Sequence, residues 1–360
     1  MRISYKKQTL FFLILSFLLF SLIELFSILY LDQNNSCYTG LLESGIYSEN
    51  GIDLKKLCND YKSILTINYP IKYNIPNQHT ETVNINSHGM RGPEFNFDKE
   101  FDEYRIFFLG GSTAYGVYST SDSTTIPGFL DKKLSQEKHN VNVINSGVNG
   151  GNSYDEYYLV KNTILKYNPD MLIVYAGWND LIRQPVDEYP EKNFSYYLSL
   201  SNVYFNTYLK FPQLFSLVER VYLKQIFGDN GIPSDKFDPS LSKMKINLWQ
   251  ERWNDICNLG NKEGFKTVII LQPLLGTGEK ILHPWEKNTF EKYEHESVIE
   301  SYEYMINSLE QLNDNCSKVI DFSNIFKSNS ELIFYDLGHM GDHGNEIVAT
   351  KIYDEIILLL

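Results

Sequence analysis

From Tyr104 to the C-terminus, short apolar runs alternate with longer stretches of helical periodicity, and this alternation restricts the fold more than any other feature of the chain. The runs are Tyr104–Leu109 (YRIFFL), Val141–Ile144, Met171–Ala176 (MLIVYA), Thr267–Leu271 (TVIIL) and a weaker Val319–Phe322. Apolar runs this short, closed by turn residues, read as strands buried on both faces. Helical spacing covers about Thr124–Lys138, Tyr154–Tyr167, Lys243–Lys262, Ser297–Asn313 and Gly344–Leu360. Strand and helix in alternation predict an α/β fold: a mostly parallel sheet between two helical layers, of flavodoxin-like type. One stretch, about 187–242, breaks the pattern. It is helical and rich in rings (Tyr196, Tyr197, Tyr204, Phe205, Tyr208, Phe211, Phe215) and reads as a helical insertion or cap. Those rings either face a cleft or form the cap's own core.

Leu10 to Leu31 is almost wholly apolar, interrupted by one charge, Glu24. About 20 such residues span a bilayer as a helix. Arg2, Lys6 and Lys7 precede the segment and Asp32 follows it. By the positive-inside rule the N-terminus is then cytoplasmic and the rest of the chain lies outside. A cleaved signal peptide is the rival reading, but no small-residue cleavage pattern stands near Leu31. The expectation is a single-pass signal anchor. In an oxidising compartment Cys37, Cys58, Cys257 and Cys316 can pair, and Cys37–Cys58 with Cys257–Cys316 is the expected pattern.

Composition excludes more than it assigns. The formal net charge is −13 and no Lys/Arg-rich run occurs, so no nucleic-acid partner is expected. Aromatic residues make up 14% of the chain, with 26 Tyr and 22 Phe. Such a bias fits sugar-stacking surfaces, and it fits compositional drift equally.

Four segments sit just beyond expected strands or before the last helix, where an open parallel sheet binds its ligands. Gly110-Gly111-Ser112-Thr113 follows the first run; there a serine at a strand-to-helix turn exposes its hydroxyl. The segment is not G-x-S-x-G, because position 114 is Ala, and it lacks the Lys of a phosphate loop. Asn145-Ser146-Gly147-Val148-Asn149-Gly150-Gly151 follows the second run and offers backbone N–H groups. Gly177-Trp178-Asn179-Asp180 follows the third, with an uncharged amide able to donate to an oxyanion. Asp336-Leu337-Gly338-His339 precedes the last helix, and Asp and His three apart can share one turn. Read singly, each has a bland alternative: a capping serine, a connecting turn, an Asx turn, a chance D-x-x-H. His339 and His343 also have an i, i+4 spacing, but Met340 stands where H-E-x-x-H needs its pattern, so no metal is expected.

Together, and in this order, the four segments resemble the blocks of the SGNH (GDSL-like) hydrolases over about residues 84–358. The GGST form and the preceding Asn86-Ser87-His88-Gly89-Met90-Arg91-Gly92 are similar to a membrane-anchored bacterial and archaeal branch. The resemblance implies a serine esterase with no cofactor. It makes Ser112 the nucleophile, His339 the general base and Asp336 its orienting partner. Ser112, Gly150 and Asn179 become the oxyanion donors, with Gly147 the second candidate for the glycine. GDSL members carry an Asp where this chain has Gly111. Trp178, Gln272 and Arg91 are candidate substrate contacts, and Asp180 a support for its loop.

The resulting expectation is a cytoplasmic N-terminus (1–8), an anchor (9–31), an extracytoplasmic stalk and packing segment (32–83), and a hydrolase-like domain (84–360) bearing the insertion. The substrate class is an acylated surface glycan or lipid. The competing functions are an O-acyltransferase acting on surface polysaccharide and a catalytically inactive glycan-binding protein. Protein partners are not specified by the sequence.

Overall fold

The computed structural model of the chain describes residues 4–33, 36–47, 51–67, 71–137, 140–183, 239–292 and 296–360. It divides into two compact units: Met1–Thr39 with Leu198–Lys236, and Gly40–Tyr197 with Phe237–Leu360. Within the first unit, helix α1 (Tyr5–Gln33) contains Tyr5–Phe26, a segment of hydropathy 2.4 that is long and apolar enough to cross a membrane. The expected insertion at 187–242 falls outside the described residues, apart from the turn Pro239–Leu241 and Ser242.

The second unit holds the sheet. After α2 (Ser36–Ser44) and α3 (Leu54–Ser63), two small antiparallel ladders form: β1 (Thr66–Ile67) with β2 (Tyr73–Asn74), and β3 (Gln78–His79) with β4 (Asn84–Ile85). The central strands are β5 (Tyr104–Gly110), β6 (Val141–Asn145), β7 (Met171–Ala176), β8 (Lys266–Leu271) and β9 (Lys318–Asp321). They lie in the order β6-β5-β7-β8-β9, every neighbouring pair parallel. The order reverses between β5 and β7, and such a switch point leaves a crevice beyond the strand ends.

Helices α4 (Ser112–Tyr115), α5 (Ile126–Glu137), α6 (Ser153–Asn162), α7 (Trp178–Ile182), α8 (Ser242–Glu263), α9 (Pro284–Lys292), α10 (Glu296–Ser308) and α11 (Asp342–Ile356) complete the unit. Side chains alternate across each strand. Ile106, Phe108, Ile173, Val268 and Ile270 pack with Leu130 and Leu134 of α5 and Val348 and Ile352 of α11. Phe107, Leu109, Leu172, Val174 and Ile269 are also fully buried, on the opposite face, where α6, α8 and α10 lie against one another and the sheet. This is the expected three-layer α/β/α arrangement. Cys257 of α8 is disulfide-bonded to Cys316, as expected from the sequence. Cys37 and Cys58 are likewise both disulfide-bonded.

Candidate active site

Strand β5 ends at Gly110 and turns through Gly111 straight into α4, whose first residue is Ser112. The turn is short because the backbone closes immediately: Tyr115 N–H donates to Gly111 O (2.9 Å) and Gly116 N–H to Ser112 O (3.0 Å). The Ser112 N–H, at the first helical position, has no intrahelical acceptor. Its hydroxyl lies 2.7 Å from His339 Nε2. His339 Nδ1 lies 2.7 Å and 2.9 Å from the two Asp336 carboxylate oxygens. The three side chains thus form one continuous hydrogen-bonded relay at the carboxyl edge of the sheet.

The Asp–His loop is fixed from several sides. Asp336 Oδ1 also accepts from the N–H groups of Gly338 (3.0 Å) and His339 (2.8 Å). Leu275 N–H donates to Leu337 O (2.8 Å), which ties the loop to the chain leaving β8. Glu286 of α9 is fully buried beside Lys280 and accepts from the N–H groups of Ile333 (3.0 Å) and Phe334 (2.9 Å). Tyr118 sets its ring edge-on to His339, with centroids 5.7 Å apart.

Burial by itself would push the Asp336 carboxyl up, but the His339 charge and three hydrogen-bond donors hold it below its ordinary value. Burial by itself would depress the His339 imidazole; the adjacent carboxylate overrides it and raises the imidazole above 6.5. The two shifts oppose one another in the manner of a charged pair.

Asn179 follows β7 on α7 and points its Nδ2 toward the same turn. One amide hydrogen is spent on Gly151 O (2.6 Å), which fixes the group; an amide carries a second donor. A β-carbon at residue 111 would lie 2.3 Å from that nitrogen and 3.0 Å from Gly151 O. In this geometry a side chain at residue 111 would press on the Asn179 amide. The second loop runs beside the first because Val148 N–H donates to Gly110 O (3.0 Å). Gly150 has φ +70°, and its N–H has no acceptor among the described residues. The alternative glycine, Gly147, donates its N–H to Asn145 Oδ1 (3.0 Å) and lies close behind Tyr115.

A cavity of about 160 Å³ opens on Ser112, Asn179 and His339, with Trp178 and Gln272 on its wall. Thr113 and Gly338 also line it, and the sequence reading did not single them out. Arg91 is not on that wall. Its guanidinium is buried behind α4, donating to Thr82 O, Tyr115 O, Gly116 O and the Asp122 carboxylate, so it braces the serine turn from beneath. Asp180 is buried and accepts from Ser153 N–H (2.9 Å), joining α7 to the start of α6. His343 is exposed and faces Glu331 Oε2 at 2.8 Å. Among the described residues no group of His, Cys, Asp and Glu is arranged to hold a metal ion.

A parallel sheet with a Ser–His–Asp relay at its switch point defines an α/β protein of hydrolase type. The sequence match is more specific: residues 108–287 fit the GDSL-like lipase/acylhydrolase family. That match spans half of the chain, and the chain belongs to this family of lipases and acylhydrolases. No curated protein matches the sequence. Among solved structures, an acetyl xylan esterase is similar at 16% identity, over 70% of this chain and 99% of its own, with a TM-score of 0.41. A lipase/acylhydrolase from Enterococcus faecalis is similar at 12% identity, over 70% and 95%, with a TM-score of 0.43. A catalytic mutant of an acetylxylan esterase from Geobacillus stearothermophilus is similar at 10% identity, over 72% and 96%, with a TM-score of 0.43.

Proposed function

We propose that the protein is a serine esterase that removes a short acyl group, acetyl foremost, from a surface glycan or lipid. The observation that carries this reading is the 2.7 Å approach of Ser112 Oγ to His339 Nε2, with Asp336 on the other imidazole nitrogen. Neutral His339 takes the hydroxyl proton as Ser112 Oγ bonds to the ester carbonyl carbon. The carbonyl oxygen becomes an oxyanion, facing the N–H groups of Ser112 and Gly150 and the free amide hydrogen of Asn179. Loss of one such donor typically raises the barrier by roughly 2.7–4 kcal/mol. His339 then returns the proton to the departing alcohol oxygen as the C–O bond breaks. Water, deprotonated by His339, attacks the acyl-serine carbonyl carbon; the bond from that carbon to Ser112 Oγ breaks, His339 returns the proton to Oγ, and the carboxylic acid leaves. Asp336 keeps the Nδ1 proton in place throughout. Gln272 and Trp178, on the cavity wall, are positioned to touch the acyl group.

Cavity size supports a small acyl group. About 160 Å³ is well below the roughly 300–1,000 Å³ that encloses drug-sized ligands. Residues 9–31 serve as an uncleaved anchor in this account, with Arg2, Lys6 and Lys7 in the cytoplasm and the hydrolase unit outside. Residues 32–83 are the stalk and packing segment between that anchor and residues 84–360, and from Gly40 onward they belong to the same compact unit as the sheet.

The test uses the full chain in detergent. It should hydrolyse 4-nitrophenyl acetate and take a fluorophosphonate label at Ser112. A folded chain with neither property fits the inactive glycan-binding alternative. Transfer of the acyl group to a sugar hydroxyl in preference to water fits the O-acyltransferase alternative.

A further inference from the structure

Arg183 closes α7: its N–H donates to Asn179 O at 3.1 Å, so it stands one helical turn beyond the proposed oxyanion amide. Its guanidinium folds back over the second glycine loop. A β-carbon built on Gly150 would lie 2.3 Å from Arg183 Nη2 and 3.4 Å from Lys72 Nζ. Two cationic heads therefore cover the same glycine from one side.

The guanidinium makes no hydrogen bond to any described residue, and its Nε is buried without an acceptor. A charged donor left in that condition is costly unless something else occupies it. The neighbouring carboxylate, Asp155, is buried and accepts from Lys72 N–H (2.7 Å) and Asn152 N–H (3.1 Å); the charges of Lys72 and Arg183 also act on it and offset part of the upward push of its burial. Asp180 and Glu156 are buried and feel the charge of Arg252, and burial pushes both carboxyls up, Glu156 well above the usual carboxylate range. Arg252 lies over the Tyr154 ring and donates to Ser153 Oγ.

We propose that Arg183, with Lys72 beside it, forms an anion subsite next to the Gly150 loop, and that the acylated molecule carries a carboxylate or phosphate close to its ester. A guanidinium matches either group through paired N–H donors. The proposal rests on the esterase reading and narrows its substrate to acidic glycans or phosphorylated glycans.

The experiment measures binding to the full-length Ser112→Ala chain in detergent, so that esters are not consumed. The probes are three O-acetylated sugars: a neutral methyl glucoside, a glucuronoside and a glucose 6-phosphate. The expected result is binding of one or both acidic sugars about tenfold or more tighter than the neutral one. Adding Arg183→Gln should bring that ratio close to one, and Arg183→Lys should keep part of it. The two acidic arms tell carboxylate from phosphate. Raising the salt concentration should shrink the preference in the chain with Arg183 intact. With Ser112 present, the ratio of kcat/KM for acidic over neutral ester should follow the binding ratio. Equal binding of all three sugars, or a preference that survives both Arg183→Gln and high salt, would overturn the subsite. A preference with no turnover of any ester supports the subsite and removes the esterase reading instead.

Discussion

His339 can take the Ser112 proton only as a neutral imidazole. The Asp336 carboxylate that orients the ring also raises the ring's pKa above 6.5, against the opposing pull of burial. Activity should therefore rise with pH through a midpoint above 6.5, because protonated His339 is inactive and predominates below that midpoint. In Asp336→Asn the charge is gone: the acidic limb should move to lower pH, and kcat should fall on the order of 10⁴-fold. A pH–rate profile of kcat/KM for both forms checks this, and an unmoved limb counts against His339 as the base. At this scale the sequence was legible where chemistry demands a particular side chain. Ser112, Asn179, Asp336 and His339 are of the few residue types able to fill the roles proposed for them; Ser112 and Asn179 follow β5 and β7, and Asp336 and His339 stand on the turn before α11. Arg91 was harder. From the sequence it is either a substrate contact or a surface ion pair; it pairs with Asp122, but buried, and also donates to the carbonyls of Thr82, Tyr115 and Gly116, partners gathered from distant parts of the chain. Arg183 belongs to no motif, and only its contact with Gly150 gives it meaning.

At the scale of elements, the turn between β5 and α4 is the tightest constraint. A methyl group at residue 111 would stand 2.3 Å from Asn179 Nδ2 and force the amide away. Gly111→Ala should lower kcat by roughly 10²–10³-fold, the usual effect of losing an oxyanion donor, with a much smaller change in KM. Steady-state kinetics on 4-nitrophenyl acetate test it; a near-normal kcat would show that Asn179 does not act in the transition state. The strands of the sheet were legible because continuous apolar runs admit few alternatives: Met171–Ala176 is β7 as read, and β9 is Lys318–Asp321 where Val319–Phe322 was expected. Helix ends were less so. Helical spacing carried on past α6 and α10 into the 3₁₀ turns Ile164–Tyr167 and Leu309–Leu312, whose apolar residues are spaced closely enough to mimic another α turn. The bracing of the Asp–His loop by Glu286 had no sequence signal, since a lone acidic residue on a helix usually faces solvent.

The hydrolase unit is closed on itself by Cys257–Cys316, which joins α8 to the start of β9 across a sequence separation of 59. A loop of that length restricts the unfolded chain by about 4 kcal/mol in the chain-entropy account. Replacing both cysteines by Ala should lower the unfolding free energy by up to about that amount. Denaturant titration of the two forms measures it, and an unchanged midpoint would mean the unfolded chain is already compact. Four cysteines allow three pairings, and closeness in sequence favoured the one that includes Cys257–Cys316, the bond found here. The parallel sheet, its two helical layers and the apolar N-terminal helix were also readable, since each follows from hydrophobic pattern alone. Substrate identity was not: the proposed anion subsite combines Arg183 and Lys72, which the fold brings together from separate segments.

The central claim is that Ser112 carries the acyl group between alcohol and water. Acid-quenching the full-length chain during turnover of 4-nitrophenyl acetate, followed by peptide mass spectrometry, tests it directly. The account predicts an acetyl adduct on the peptide containing Ser112, absent from the Ser112→Ala chain together with turnover. Undiminished hydrolysis by Ser112→Ala, or an adduct on another residue that forms and decays at the rate of turnover, would contradict it.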